Sequence, residues 1–447
     1  MVNDIEERFR KLHPKSCRIW QENLNYLPGG VSAYAQFRKP FPIYFSKARD
    51  SRLWDVDGLE YIDTHCGYGP IILGHNHPVV LEAIEKTKET GLQFGATSDL
   101  IGECAKIIVR HVPAVKWIRF VNSGSEAVNY CIRLAKGYTG KKKVCKVEGG
   151  YHGSASDWAP ISIGEFAGSV ENPLPAPHSL GVDHTIENTI IIPWNDTKNA
   201  TRIIEKNADD LACVIMEPIS GTGLGLIEPK ADYMKAIREV TAEKDIILIF
   251  DEVMLGFRWG NMGCAQSYVG ITPDLCALGK AIGGGAPVAA FGGRKDIMEL
   301  VSPTHGRSPA ERVYQSGTFS GNPFTATIML ATLEYLEEHE DEVYSHINGL
   351  GDKVRKGLKG MAEELEIPVQ VVGSFSIYEA HFIDKLYTNA REFAKRDTKK
   401  LSLRDLELCN RGVYKLLGHF AFTNLAQTDE DIEEILNAYR EAFQAVM

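Results

Sequence analysis

The chain has 447 residues, 44% hydrophobic and 24% charged, which is typical of a globular protein long enough for two or three domains. Its formal net charge of -10 argues against a nucleic-acid or anionic-membrane partner, because Lys and Arg bind both. Nine cysteines without a C-x-x-C pair, no signal-peptide core and no apolar run of ~18 residues predict a cytoplasmic protein with free thiols.

The N-terminal part predicts surface helices followed by a β-hairpin. Residues 5–24 are charged and weakly periodic, and Pro28-Gly29-Gly30 ends that pattern. Apolar and polar residues then alternate at 40–45 and again at 52–63, where Asp57-Gly58 supplies a turn. Such alternation around Asp-Gly predicts a hairpin.

Three histidines follow, His65, His75 and His77, and they raise the alternative of a metal-dependent hydrolase. No Asp, Glu or Cys completes a recognised ligand spacing, and Pro78 suits the first position of a helix beginning near Val79. We therefore predict no metal site and interpret these histidines as structural.

The stretch around Ser123-Gly124-Ser125 is a candidate phosphate site. An apolar strand at 118–121 leads into it, and an amphipathic helical pattern begins at Ala127. Free N–H groups at a helix N-terminus bind phosphate, and hydroxyls add donors. The alternative is a serine that only caps the helix.

A further short strand at 143–147 precedes Glu148-Gly149-Gly150 and the pair Tyr151-His152. The glycines allow Tyr151 to lie flat against a planar ligand, and the alternative is an aromatic residue of a surface loop. The next segment, 154–184, is irregular and rich in Gly, Ser and Pro, which indicates a functional or mobile loop.

Two apolar runs end on carboxylates. One is 211–216 before Glu217, and the other is 247–250 before Asp251. Both are too short for helices and predict strands buried in a parallel sheet, so their carboxylates lie at the edge where ligands bind. The glycine-rich stretch 221–225 lacks the dinucleotide fingerprint and is predicted to be a loop.

A buried carboxylate without a partner is costly, so we expect Asp251 to meet a cationic partner. Lys280 follows the apolar run 274–278 and precedes Gly283-Gly284-Gly285. These surroundings would desolvate its amine, lower its pKa and make it a better nucleophile. The alternative is a solvated lysine at a turn.

The segments 250–258, 273–274 and 278–285 together resemble the signature of class-III pyridoxal-phosphate aminotransferases, nearest to the glutamate-1-semialdehyde 2,1-aminomutase branch. The resemblance implies an α/β protein of fold type I. Its large domain has a mainly parallel central sheet flanked by helices, and a smaller α+β domain comes from both termini. We expect an N-terminal segment of the small domain at 1–78, the large domain at 79–324 and the C-terminal small domain at 325–447.

The same resemblance implies that Lys280 carries pyridoxal 5'-phosphate as a Schiff base. Once the substrate amine displaces it, Lys280 becomes the base that moves the proton. Asp251 holds the pyridinium nitrogen protonated, so that the ring acts as an electron sink. Thr318 reaches the cofactor phosphate of the neighbouring subunit, which implies a homodimer with shared active sites. The other expected cofactor contacts are Ser123, Gly124, Ser125, Tyr151, His152, Glu217 and Val253.

Three positions depart from the aminomutase branch. Arg38 is displaced from the usual arginine, Tyr68 stands where tryptophan is more frequent, and His419 stands in place of a glutamate. We therefore favour an aminotransferase that moves an amino group between a small amino donor and a carbonyl acceptor, with the aminomutase as runner-up. Arg38 is the hypothetical anchor of a substrate carboxylate. A binding protein that has lost the chemistry stays open, although Lys280 and Asp251 both count against it.

Overall fold

The computed structural model describes residues 2–221, 223–306 and 308–447. Its α-helices are α1 (Val2–Leu12), α2 (Pro14–Asn23), α3 (Pro78–Thr90), α4 (Leu100–His111), α5 (Gly124–Thr139), α6 (Thr197–Lys206), α7 (Ala231–Glu243), α8 (Cys264–Val269), α9 (Lys295–Met298), α10 (Pro323–Glu338), α11 (Glu340–Glu364), α12 (Ala390–Phe393), α13 (Thr398–Asn410) and α14 (Asp429–Val446). Its strands are β1 (Phe45–Arg49), β2 (Arg52–Asp55), β3 (Glu60–Asp63), β4 (Trp117–Val121), β5 (Lys143–Val147), β6 (Ala167–Gly168), β7 (Pro173–Leu174), β8 (Thr189–Ile192), β9 (Leu211–Met216), β10 (Ile247–Glu252), β11 (Leu275–Leu278), β12 (Ala289–Gly293), β13 (Val369–Val372), β14 (Ile377–Phe382), β15 (Val413–Tyr414) and β16 (Ala421–Phe422).

The chain forms two compact units. The first comprises Met1–Pro78, Glu342–Leu386 and Arg396–Met447, and the second comprises Val79–Asp341 and Tyr387–Lys395. The expected boundary at residue 324 falls at the start of α10, which packs against α4 and therefore stays with the second unit. Among the described residues, every helix is too short or too polar to cross a bilayer.

The second unit is built on a sheet with strand order β4-β12-β11-β10-β9-β5-β8. Strands β8, β5, β9, β10 and β11 are parallel, whereas β12 runs antiparallel to both β11 and β4. Every residue of β9, β10 and β11 is buried, as their continuous apolar runs predict. The prediction of a mainly parallel α/β sheet is confirmed.

Helix α5 covers this sheet and forms much of the core with it. Its apolar face, which includes Cys131, Leu134 and Ala135, is fully buried and packs against β11 and β12. The spacing of these residues is that of an amphipathic helix. Because α5 follows β4 directly, its N-terminus lies beyond the carboxyl end of a strand.

The first unit contains the smaller sheets β1-β2-β3-β15 and β13-β14-β16. Helices α1, α13 and α14 pack together beside them. The predicted hairpin is formed by antiparallel β2 and β3, but the preceding strand begins at Phe45 rather than at Pro40. Pro40 and Pro42 lack the N–H groups that a strand ladder needs. Thr428 caps α14 through a capping box with Asp431.

Candidate active site

Two neighbouring strands bring Asp251 and Lys280 to the same edge of the sheet. Asp251 lies near the end of β10 and is paired in register with Ala277 of β11, three residues before Lys280. Because β10 and β11 are parallel, both side chains lie where the strands end. The sequence-based pairing of these two residues therefore agrees with the topology.

Asp251 is held by two hydrogen bonds. Its Oδ2 is 2.8 Å from Nδ1 of His152, and its Oδ1 accepts from the backbone N–H of Val253 at 3.1 Å. The His152 side chain is buried, and its Nε2 has no hydrogen-bond partner among the described residues. Burial lowers the pKa of His152, although the charge of Asp251 opposes this effect. A neutral imidazole must then carry its proton on Nδ1 to donate to the carboxylate.

Lys280 lies in surroundings that favour its free amine. It opens a short 3-10 helix, Lys280–Gly283, with φ of +49°, a left-handed conformation that costs a non-glycine residue roughly 1 kcal/mol. Burial lowers the pKa of Lys280, the charges of Glu217 and Asp251 raise it in part, and the charge of Arg258 lowers it further. A lowered pKa increases the fraction of nucleophilic free amine.

The turn before α5 contains the helix cap that its sequence suggested. Ser123 caps the helix, because its Oγ accepts from the N–H of Glu126 at 3.3 Å. The first-turn N–H groups of a helix also form an anion site. A Cβ added to Gly124 would lie 2.6 Å from Cγ1 of Val253, so only glycine fits between this turn and the end of β10. Likewise, a Cβ on Gly153 would lie 2.3 Å from Oγ of Ser125.

The turn after β5 brings Tyr151 and His152 to this edge. Tyr151 is 38% exposed, whereas the His152 ring stacks on Trp158 with centroids 6.0 Å apart. Gly149, with φ of +83°, donates its N–H to the carbonyl of Ser162 at 2.6 Å. The contact with Trp158 was missed by sequence reasoning, since nothing in the irregular segment marks that residue.

A buried lysine was also missed. The ammonium of Lys146, in the middle of β5, donates to the carbonyls of Ala159 at 2.9 Å and Ile161 at 2.8 Å. Burial lowers the pKa of Lys146 to about 7, and the charge of Glu217 opposes this effect. The sequence feature that could have revealed Lys146 is a lysine inside an apolar strand pattern, because a buried charge needs a specific reason.

Two further residues of the second unit were expected to contact a cofactor: Glu217 that of its own chain and Thr318 that of the neighbouring subunit. Glu217 is buried directly after β9, and its Oε2 accepts from the N–H of Gly221 at 3.2 Å. Thr318 is exposed, and its carbonyl accepts from the side chain of Gln93. Thr222, part of the predicted glycine-rich loop, lies outside the described residues.

Arg38, in the first unit, is buried and bonded to other residues of that unit, whereas its sequence position had suggested a role in binding a substrate carboxylate. It is 2% exposed, and its guanidinium donates to Sγ of Cys409 at 2.6 Å and to the carbonyl of Lys415 at 2.5 Å. It also lies over the ring of Tyr414, 5.4 Å from the centroid. This arrangement does not support Arg38 as the anchor of a substrate carboxylate.

Tyr68 and His419, also in the first unit, are brought together although 351 residues separate them in sequence. Their ring centroids lie 5.3 Å apart in an edge-on arrangement. The His65 ring joins them, 4.2 Å from Tyr68 and 5.4 Å from His419, and sequence reasoning had assigned it no such role. Tyr68 has φ of +71°, and left-handed non-glycine residues cluster at functional sites.

The histidines that suggested a metal have other surroundings. Nε2 of His75 lies 2.7 Å from a carboxylate oxygen of Asp63, and Pro78 is the first residue of α3. Within residues 2–221, 223–306 and 308–447 there is no group of three or more side chains able to hold a metal ion.

The residues of the second unit fit pyridoxal phosphate. The N-terminus of α5 suits its phosphate, the carboxylate of Asp251 suits its ring nitrogen, and the amine of Lys280 suits its aldehyde. Gly124 also leaves free the space that a Cβ would take beside Val253. Together, these protein groups match the phosphate, the ring nitrogen and the aldehyde of pyridoxal phosphate.

Comparison with known proteins agrees with this fit. A sequence model of the class-III aminotransferases matches residues 33–438. A glutamate-1-semialdehyde 2,1-aminomutase of Methanocella arvoryzae is 39% identical over 436 residues, which covers 96% of this chain and 99% of that protein. The crystal structure of an omega-transaminase from Sphaerobacter thermophilus superposes with a TM-score of 0.90 at 29% identity, covering 96% and 97% of the two chains. A transaminase determined with pyridoxal phosphate bound has a TM-score of 0.87 at 26% identity, covering 97% and 98%.

These matches extend over nearly the whole chain, and the fold they share is that of the fold-type I transaminases. Pyridoxal phosphate is therefore the cofactor, and the chain belongs to the class-III aminotransferase family.

Proposed function

We propose that this protein is a glutamate-1-semialdehyde 2,1-aminomutase, which exchanges the amino and oxo groups on neighbouring carbons of one substrate to give 5-aminolevulinate. The carrying observation is the placement of Lys280 beside Asp251 at the end of β10, in a chain 39% identical to an enzyme of that name over almost its full length. This proposal reverses the preference for an intermolecular aminotransferase that the sequence alone had favoured.

Each residue has a defined task in this proposal. Bound pyridoxal phosphate supplies an electron sink, which lets a proton leave the carbon that carries the amine. Asp251 would hold the ring nitrogen, and the hydrogen bonds from His152 and from the N–H of Val253 fix the orientation of its carboxylate. Nζ of Lys280 takes the proton from the substrate carbon and returns it to a second carbon. Its lowered pKa increases the fraction of free amine available for this step.

The test is the turnover of glutamate-1-semialdehyde by the purified holoenzyme in the absence of any external amino donor. We expect 5-aminolevulinate to accumulate with wild type and not with Lys280→Ala. The proposal is wrong if wild type binds the cofactor, as its visible absorbance would report, and yet forms no 5-aminolevulinate.

A second candidate is an aminotransferase with separate donor and acceptor. The observation that favours it is the cluster of His65, Tyr68 and His419, which presents imidazole and phenol rings. The resemblance had led us to expect an indole and a carboxylate at two of these positions. For this candidate, cofactor absorbance should be lost on adding a donor amine and return on adding a different carbonyl acceptor.

We also infer a cytoplasmic homodimer with shared active sites. Thr318 is exposed on the second unit, as a residue that reaches a neighbouring subunit must be. Mixing Lys280→Ala with Thr318→Ala under subunit-exchange conditions should restore activity, because one mixed site then has both residues intact.

The inference that the protein is cytoplasmic is supported by its nine cysteines, which are all free thiols. Fractionation of the native cells tests that inference.

A further inference from the structure

Arg391 lies in a short segment with an unusual position in the chain. Residues Tyr387–Lys395 belong to the second unit, although the residues on both sides of them belong to the first. The segment contains the single turn α12, whose cap Asn389 accepts from the N–H of Glu392. The hydrogen bonds of Tyr387 and Arg391 described below are made to residues of the same second unit.

The guanidinium of Arg391 makes bonds in two directions. Toward one side it binds the carboxylate of Glu148, with Nε at 3.0 Å from one oxygen and an NH2 group at 2.8 Å from the other. Toward the other side it donates to the carbonyls of Ala167 at 2.7 Å and Gly168 at 2.8 Å. The side chain of Arg391 is 21% exposed and that of Glu148 only 4%. A planar fork suits such a bidentate, two-sided contact.

On the first side, Glu148 begins the turn that carries Tyr151 and His152. This turn has no spare room against the Arg391 segment, because a Cβ on Gly149 would lie 2.8 Å from Cβ of Ala390. The hydroxyl of Tyr387 fixes the same segment by donating to the carbonyl of Gly225 at 2.5 Å. Arg391 is thus connected through Glu148 to the turn that carries His152, and His152 contacts Asp251.

On the other side lies the irregular segment 154–184, here called the cover segment. Its inner part is fixed to β5 by Lys146 and to the turn by the bond from Gly149 to Ser162. Its outer part is the small hairpin of β6 and β7. Arg391 holds one strand of this hairpin, and Arg202 of α6 holds the tip by donating to the carbonyl of Glu171 at 3.0 Å. The two arginines thus grip the same hairpin, but Arg391 also binds Glu148.

We propose that Arg391 is a positioning residue, which couples the order of the cover segment to the placement of the Tyr151–His152 turn. This inference rests on the proposed pyridoxal-phosphate chemistry only for its effect on the cofactor. The guanidinium of Arg391 then affects both how firmly the β6–β7 hairpin is held and how tightly the cofactor is bound at the turn.

The test is hydrogen–deuterium exchange of Arg391→Gln and Arg202→Gln, measured on both holoenzyme and cofactor-free protein. Both variants should speed exchange in peptides covering 163–174. Only Arg391→Gln should also speed it at 148–152, by roughly tenfold, the effect of losing charge-assisted bonds of ordinary strength. Arg391→Lys keeps the charge opposite Glu148 but cannot bind both carbonyls. Its exchange rate should therefore be closer to wild type at 148–152 than at 163–174.

The second readout concerns the cofactor. Arg391→Gln should release pyridoxal phosphate roughly tenfold faster and change the visible circular dichroism of the bound cofactor, whereas Arg202→Gln should leave both at wild-type values. Equal exchange at 148–152 in the two variants would overturn the proposal, as would an unchanged dichroism in Arg391→Gln. Failure of the proposed function would look different, since wild type would then form no product while the exchange pattern still separated the two arginines.

Discussion

Two histidine–aspartate pairs in the second unit have the same length but very different surroundings. His152 and Asp251 are 2.8 Å apart with side chains 0% and 8% exposed, and His184 and Asp157 are also 2.8 Å apart but 65% and 59% exposed. This contrast makes the second pair a matched control for the first. The informative change is His152→Phe, which removes the donor but keeps a ring that can stack on Trp158.

The expected magnitude follows from burial. In His152→Phe the buried carboxylate of Asp251 keeps the N–H of Val253 but loses the hydrogen bond from the imidazole. Losing a hydrogen bond to a buried charged group costs about 1.5–3 kcal/mol. The exposed pair contributes about 0–1 kcal/mol, because water replaces the lost contact, so His184→Phe should have little effect.

The assay is urea unfolding of cofactor-free protein at pH 7.5, followed by titration with pyridoxal phosphate. We expect His152→Phe to lose about 2 kcal/mol of unfolding free energy and to bind the cofactor more weakly, with His184→Phe close to wild type. His152→Asn, which retains one N–H donor, should fall between them. Equal losses in the two Phe variants would refute the reasoning, because they would show that burial of the pair contributes nothing.

Three further predictions test other parts of the site. Lys280→Ala should fold normally and bind the cofactor, but lose activity by at least ~100-fold in a single-turnover assay, because the proton-transfer base is gone. Gly124→Ala should weaken cofactor binding, since the new Cβ would lie 2.6 Å from Val253, and the additional change Val253→Ala should recover part of that loss. Burial raises the pKa of Glu252 from its ordinary 4.5 to about 7, so the folded protein holds a proton that the unfolded chain releases. Stability should therefore fall by about 3 kcal/mol as pH rises from 4.5 to 7, and Glu252→Gln should flatten this part of the profile in urea unfolding.

The parts of the site that the sequence predicts are those set by local pattern. Strands β10 and β11 are fully buried, because their apolar runs leave no polar face for water. These runs place Asp251 at a strand end and Lys280 just beyond one, and the resemblance to the class-III family assigns both residues to one site. The cap at Ser123 was also visible locally, because the residue types of a helix start identify it.

The parts that the sequence does not predict are set by contacts between distant residues. Arg38 bonds with Lys415, 377 residues away, and no local pattern distinguishes this buried arginine from a substrate anchor. The segment around Arg391 joins the second unit through a bond to Glu148, 243 residues away. We expected the whole of 325–447 in the small domain, because the local pattern of this segment does not reveal a contact with a residue so distant in sequence.

Tyr68 and His419, the two positions that depart from the aminomutase branch and lie together in the structure, allow the proposed substrate to be tested directly. The double variant Tyr68→Trp/His419→Glu places at these two positions the tryptophan and the glutamate expected from the aminomutase branch. Their rings are 5.3 Å apart, so the two changes should be made together, since contacting residues do not act additively.

If the proposed aminomutase activity is right, wild type already turns over glutamate-1-semialdehyde, and the double variant should change kcat/KM by less than about tenfold, or about 1.4 kcal/mol. If wild type instead requires a separate donor and acceptor, the double variant should gain semialdehyde turnover while losing that exchange. If wild type requires a separate donor and acceptor, and the double variant retains its cofactor absorbance and that exchange without gaining semialdehyde turnover, then Tyr68 and His419 do not determine the substrate. A wild type that does not turn over the semialdehyde would share the fold and the cofactor with the named relatives but not their substrate.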